Sequence, residues 1–396
     1  MPPLLSIDEA LGRVLARVRP LPAEAVPVAD AAGRVLAEDV VARVDLPSFP
    51  SSAMDGFAVR AADTPGRLPV VFRIAAGRPA ERRLAAGEAM EISTGGAVPE
   101  GADAVVPIEN VVERDNRVEI AEHAEPGAHV RQVGGDVTAG APLLGAGTVV
   151  GAAQVGALTA AGVAEVACAR RPRVVVLSTG TELRPAGEEL GPGQIYESNG
   201  PMLAAALVTA GAEVERLGPV ADDEAALRDA LARGLDADLL VSSGGVSVGP
   251  HDLVRQLLAE LGVEEDFWGV AVRPGKPIAF GTGGGTLVFG LPGNPVSALV
   301  AVELFVRPAL LALQGAASPG PSYELGRLAA PMRRNERRDE LARARTVRDD
   351  SEVRLEPLGG QESHMIARAA AADALVFVPR GDGELAAGDS VRYLRL

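Results

Sequence analysis

Hydrophobic positions recur along this chain in several rhythms. Near the start, Ile7, Leu11, Val14, Leu15 and Val18 fall at helical spacing behind a capping box of Ser6 with Glu9. A second amphipathic piece runs through Ala31 to Val41. From about Leu46 to Ala128 the texture changes to short apolar runs: Gly56–Val59, Val70–Ala75 and Ala104–Ile108. Gly and Pro separate them, which predicts a small β-rich domain. Gly-rich chain follows from His129 to Ala169, with a helix predicted over Ala152–Ala161. Residues 1–46 and 129–169 are expected to pack together as a linking domain, with the β-rich module 47–128 inserted between them.

Residues 170–313 alternate between strand and helix. Val174–Leu177 reads as a strand buried on both faces. The helix Pro201–Ala210 and strand Val214–Leu217 follow, then the helix Asp222–Leu235 and strand Leu239–Val241. Next come the helix His251–Leu261, strands Phe267–Val272 and Leu287–Phe289, and the long helix Val296–Leu313. Alternation at this spacing predicts an α/β domain with a parallel sheet. The tail, 314–396, returns to strands: Tyr323–Leu328, Leu341–Val347, Val353–Leu358, Leu375–Pro379 and Ser390–Leu396. A hairpin signal at Arg380-Gly-Asp-Gly-Glu completes a separate, barrel-like β domain. The expected fold is an α/β and β multidomain chain. At roughly 150 residues per domain, a chain of 396 residues has room for two to four such units.

Composition narrows the function. Acidic residues number 53 against 38 basic, a net charge of −15. Such a field opposes nonspecific binding to nucleic acid or anionic membrane, so any anion site is a local exception. One cysteine, Cys168, excludes a disulfide framework and a Cys-based metal cluster. The most apolar stretch carries Glu303, Arg307 and Pro308 and reads as too short and too charged to span a bilayer. No basic leader precedes an apolar core, so a cytoplasmic chain is expected. Of the 38 basic residues only Lys276 is lysine. It sits in the turn Arg273-Pro-Gly-Lys-Pro277, where a compact ammonium suits an oxyanion.

In open α/β sheets, ligands bind beyond the carboxyl ends of the strands. Here those ends run into Ser178-Thr179-Gly180-Thr-Glu182, Ser242-Ser243-Gly244-Gly245-Val-Ser247, Arg273-Pro-Gly-Lys276-Pro277 and Gly290-Leu-Pro292-Gly293-Asn294-Pro295. Glycines let backbone N–H groups approach a ligand, and helix N-termini favour anions. The loops together predict a phosphorylated ligand. Neither the P-loop nor the dinucleotide fingerprint is present. Glu182, Asp222 and Asp252 lie on the same rim. Carboxylates facing a phosphate call for a bridging divalent cation, and Mg²⁺ takes one or two carboxylates plus phosphate oxygens. Asp222 is equally readable as the N-cap of its helix. His251 reads more simply as a helix-start partner than as a base.

Taken jointly and in order, several motifs resemble the molybdopterin molybdenumtransferase (MoeA) family, similar to the E-domain of gephyrin. They are Ser52-Ala-Met-Asp55-Gly, Thr94-Gly with Pro99-Glu-Gly-Ala-Asp103, Ser178-Thr-Gly-Thr-Glu-Leu, Gly193-Gln-Ile-Tyr, Ser243-Gly-Gly-Val-Ser, Pro274-Gly-Lys-Pro and Leu291-Pro-Gly-Asn-Pro-Val-Ser. The resemblance spans the whole chain. It implies a molybdopterin-binding α/β domain and a Mg²⁺-dependent enzyme of molybdenum cofactor biosynthesis. The substrates would be adenylylated molybdopterin and molybdate, and AMP would be released. It also implies an elongated homodimer with its site between subunits. The adenylyltransferase of the same pathway and apo-molybdoenzymes would be its partners.

By motif match, the resemblance assigns catalytic roles to Asp55, Thr94, Glu182, Asp222 and Asp252, with Glu182 and Asp252 as metal ligands. Substrate binding falls to Ser178, Thr179, Gly180, Ser243, Gly244, Gly245, Ser247, Pro292, Gly293, Asn294 and Pro295. Molybdate binding falls to Arg273, Lys276, Pro277, Arg338 and Ser363, with Arg343 an alternative to Arg338. Arg273 stands where many members carry lysine. The adenylyltransferase itself and a non-catalytic scaffold remain alternatives at this point.

Overall fold

The computed structural model describes residues 4–245, 253–349 and 352–396. The capping box forms: Glu9 N donates to Ser6 Oγ at 3.2 Å, and Ser6 N donates to Glu9 Oε2 at 2.8 Å. The helix it starts, Ile7–Arg17, buries Ile7, Ala10 and Val14. That face joins the core of the α/β domain rather than the linking region, against the long helix near its end.

The amphipathic piece Ala31–Val41 forms no helix. Val35 and Leu36 bridge to Val149 and Cys168, and Val40–Val41 pairs with Pro142–Leu144. Val35 and Leu36 are buried at these bridges, which need no helical stripe. Ala23–Pro27 pairs with Glu165–Ala169, and one apolar cluster joins Val26, Leu36 and Ala42 to Leu158, Val163 and Cys168. Between these segments lies a six-stranded sheet in the order Ala104–Pro107, Gly56–Val59, Ala89–Ile92, Gly66–Ile74, Arg117–Ile120, Val111–Arg114.

The α/β domain centres on four parallel strands, ordered Glu213–Val220, Arg173–Thr179, Leu239–Ser243, Thr286–Leu291. Val174 and Val176 enter one apolar core and Val175 and Leu177 another, so the strand is buried on both faces. The sheet is not parallel throughout. Ala279–Gly283 and Glu264–Trp268 continue it antiparallel. Gly284 and Gly285, at φ +61 and +97, close a tight hairpin that leaves no chain for a crossover helix. The expected strand Phe267–Val272 is split at Gly269. Its end, Val272–Arg273, pairs instead with Asp339 and Glu340 of the C-terminal domain.

The long helix spans Pro295–Leu313 with a π turn at Val302–Val306. At 19 residues and a mean hydropathy of 2.0 it is long and apolar enough to cross a membrane, which corrects the reading from length and charge. Its burial identifies it as a core helix: 78% of that apolar stretch lies inside the protein. In the C-terminal domain, Asp339–Asp349, Glu352–Pro357, Tyr323–Leu328, Ser390–Arg395 and Ala374–Val378 pair in sequence. The last pairs back to the first and closes a five-stranded barrel.

Candidate functional site

A cavity of about 630 Å³ opens beyond the carboxyl ends of the parallel strands. Ser178 and Thr179 end one strand and Ser243 another; all three are buried and line it. Gly244, Gly245 and the Pro292–Pro295 turn complete that wall. Gly244 sits at φ +96, and a Cβ there would fall 2.9 Å from Thr179 O. Bare backbone is therefore required where the two strand-end loops meet, and it is backbone of the kind that cradles phosphate.

Asn199, the first residue of the helix Asn199–Thr209, ties these loops together. Its Nδ2 donates to Ser243 Oγ and to Gly293 O, both at 2.7 Å. Its Oδ1 is buried without a partner among the described residues. Glu197 Oε1 accepts from Gly200 N at 2.6 Å and stops the same helix end. Ile195 and Tyr196 form an exposed apolar lip on the opposite wall.

Glu182 lines the cavity, and Gly180 abuts its carboxylate. Asp222 is not the N-cap of the following helix. That role belongs to Asp223, whose Oδ1 accepts from Ala226 N at 2.9 Å. Asp222 Oδ2 accepts instead from Thr181 N at 3.4 Å, which brings it to the Glu182 loop. Ser247, His251 and Asp252 lie outside the described residues.

A second cavity, about 450 Å³, shares Pro277, Pro292, Asn294 and His364 with the first. Its wall carries Arg273, Lys276, Arg338 and Ser363. Asn294 Nδ2 donates to Ser363 Oγ at 2.9 Å, and Val296 N to Ser363 O at 3.1 Å. The barrel loop is thereby pinned to the start of the long helix. Arg343 is buried elsewhere. Its guanidinium donates to the carbonyls of Gly360, Met365 and Glu362 at 2.6, 2.8 and 3.2 Å. Burial lowers its pKa. Arg338, not Arg343, therefore faces this cavity. Glu340 lies behind Arg273 and Arg338, and burial raises its carboxyl pKa against the pull of both.

Asp55 and Thr94 pair with each other on the inserted domain. Thr94 N and Oγ1 donate to Asp55 Oδ1 at 2.6 and 3.0 Å. The backbone donor, then the hydroxyl, holds the Asp55 carboxyl below its ordinary value. Both residues are exposed, and neither belongs to the wall of either cavity within the chain. The structure thus gathers the strand-end loops, Glu182, Asp222 and the cations, but not the Asp55–Thr94 pair. Asn199, His364 and Glu340 were not read from sequence as site residues. For Asn199 the signal was a polar residue just ahead of the expected helix start at Pro201.

Hydroxyls, bare backbone and carboxylates lie on one side of a shared wall and cations on the other, in a chain built around an α/β domain, an arrangement whose chemistry suits a phosphorylated ligand beside an oxyanion. Family models match as "Probable molybdopterin binding domain" (MoCF_biosynth) over residues 175–312, the MoeA N-terminal region (domains I and II) over 5–162, and the MoeA C-terminal region (domain IV) over 326–396. Molybdopterin molybdenumtransferase 2 of Mycobacterium tuberculosis H37Rv is 40% identical over 382 residues, 93% of each chain. The molybdopterin molybdenumtransferase of Haemophilus influenzae is 34% identical over 395 residues, 98% of each chain. A crystal structure of a molybdopterin biosynthesis MoeA protein from Pyrococcus horikoshii is 33% identical, with TM-score 0.77 over 99% of both chains. The chain belongs to the MoeA family of molybdopterin molybdenumtransferases, which act in molybdenum cofactor biosynthesis. The relatives do not favour the adenylyltransferase or the scaffold alternative.

Proposed function

We propose that this chain inserts molybdenum into adenylylated molybdopterin and releases AMP. The carrying observation is the wall of Pro277, Pro292, Asn294 and His364 between the two cavities. It sets a phosphate-accepting pocket against a cationic one, close enough for a single substrate to reach from one into the other. Ser178, Thr179, Ser243 and the Gly244–Gly245 backbone hold the diphosphate. Lys276, Arg273, Arg338 and Ser363 hold molybdate by charge-assisted hydrogen bonds until the two dithiolene thiols displace one of its oxo groups, which leaves as water with the two thiol protons. Water cleaves the phosphoanhydride, and Glu182 orients it.

Among the described residues, no three His, Cys, Asp or Glu side chains gather into a metal cage. Glu182, with Asp222 brought to its loop through Thr181 N, fits the donor set of Mg²⁺, which takes its remaining oxygens from substrate phosphate and water; Asp252, the other expected ligand, lies outside the described residues. Bound there, Mg²⁺ would offset phosphate charge and polarise the phosphorus.

The Asp55–Thr94 pair acts from a second copy of the chain, so the working unit is a homodimer. Exposed Phe49, Met54 and Ile108 around the Asp55 loop support a buried interface there. The reaction is placed in the cytoplasm, between the adenylyltransferase that supplies the substrate and the apo-molybdoenzymes that take the product. AMP release from adenylylated molybdopterin, measured with and without molybdate and Mg²⁺, tests the reading. Release dependent on both is expected, and tight binding without release would overturn it.

A further inference from the structure

Arg273 and Glu340 face each other in register across the short parallel pairing of Val272–Arg273 with the start of Asp339–Asp349. Arg273 Nη1 donates to Glu340 Oε2 at 3.4 Å. The side chains differ in exposure, 47% for Arg273 and 12% for Glu340. The guanidinium therefore reaches the cationic cavity while the carboxylate stays beneath its wall. Arg273 Nε and Nη2 have no partner among the described residues. Arg338, two residues before Glu340, lines the same cavity.

A carboxylate buried behind two oxyanion-facing guanidiniums is a poor source of stability. Desolvation outweighs the attraction of both arginines and pushes the Glu340 carboxyl pKa up. Its contribution is then to be sought in the site. Three cations around a small cavity attract any dianion, and charge alone does not tell molybdate from sulfate. Discrimination needs donors at fixed separation, because the two tetrahedra differ in size.

We propose that Glu340 is the positioning residue that gives the oxyanion cavity its selectivity: it grips one edge of Arg273 so that the other edge meets a tetrahedral dianion at fixed geometry. Its negative charge also limits indiscriminate attraction by Arg273, Lys276 and Arg338. The inference rests on the reading of this cavity as the molybdate site. An Arg at 273 can be gripped this way because its fork has separate edges, which an ammonium lacks.

Calorimetric titration of the full chain with molybdate and with sulfate tests it, without nucleotide substrate. Wild type should prefer molybdate. Glu340→Gln should narrow the ratio of the two Kd values by at least about fivefold, mainly through tighter sulfate binding. Glu340→Asp should give an intermediate ratio, and it serves if the Gln variant folds poorly. In an Arg273→Ala background, Glu340→Gln should move the ratio by less than about twofold, since the two act as one unit. An unchanged ratio in Glu340→Gln, or the same shift without Arg273, overturns the proposal alone. A wild-type chain that binds neither anion overturns the cavity assignment, and the proposal with it.

Discussion

Asn199 Nδ2 donates to Ser243 Oγ at 2.7 Å, so the first turn of one helix locks the end of a strand it does not follow. The same nitrogen reaches Gly293 O at 2.7 Å and ties the two strand-end loops into one wall. Asn199→Ala removes both bonds at a buried site. A loss of about 1–3 kcal/mol is expected in urea denaturation, and KM for adenylylated molybdopterin should rise more than kcat falls. A variant with normal KM would mean that the two loops hold their shape without it.

Glu182→Gln keeps the size of the side chain and removes its charge. Turnover should fall at least about a hundredfold, with the thermal midpoint within about 2 °C of wild type. Single-turnover AMP release is the measurement. Near-normal turnover would remove Glu182 from the chemistry.

Lys276→Ala should raise the molybdate concentration for half-maximal rate and leave AMP release at saturating molybdate nearly intact. Lys276→Arg should rescue only in part, because a planar fork does not fit where a point charge sat. Titrating molybdate against rate for the three proteins decides it.

The Asp55–Thr94 pair lies off both cavity walls, which makes the homodimer testable by mixing. Asp55→Asn and Glu182→Gln are each expected to be inactive alone. If each site draws on both chains, refolding them together gives heterodimers with one intact site. Recovery of about a quarter of wild-type activity follows from random pairing. No recovery would place Asp55 and Glu182 in the same chain's site, and an Asp55→Asn chain active by itself would place Asp55 in none.

Glu340 also carries a pH signature. Its folded pKa lies above the ordinary glutamate value of 4.5, so the folded state holds the proton more tightly than the unfolded chain. Stability from that proton is fully present below the unfolded pKa and is lost as pH rises through the folded one. Glu340→Gln should therefore gain on wild type as pH rises from about 4 to 7, read as the difference in thermal midpoint. A difference that stays flat would mean that burial does not hold the proton on this carboxyl.

Much of the site was legible because strand ends punctuate themselves. Ser178-Thr-Gly, Ser243-Gly-Gly and Pro292-Gly-Asn each follow a doubly buried apolar run, and topology brings such ends to one rim. The antiparallel strand Ala279–Gly283 was hidden because its glycines read as loop. Strand Phe267–Val272 was misplaced because an apolar run does not show where a glycine turns it out of the sheet. Asp222 and Asp223 are indistinguishable as caps until the helix start is known. Glu340 and Arg273 are 67 residues apart, and no local pattern announces a pairing across domains.

The chain's only lysine lies over its only tryptophan, with Lys276 Nζ 5.9 Å from the Trp268 ring centre. The protein thus carries its own optical gauge of the cationic pocket. An anion that draws the ammonium toward itself changes the field on the sole indole, and emission can follow filling without any attached dye. The same solitude makes that ε-amine the one side-chain amine an amine-directed label would take, so with the α-amine blocked a single tag would mark the pocket itself.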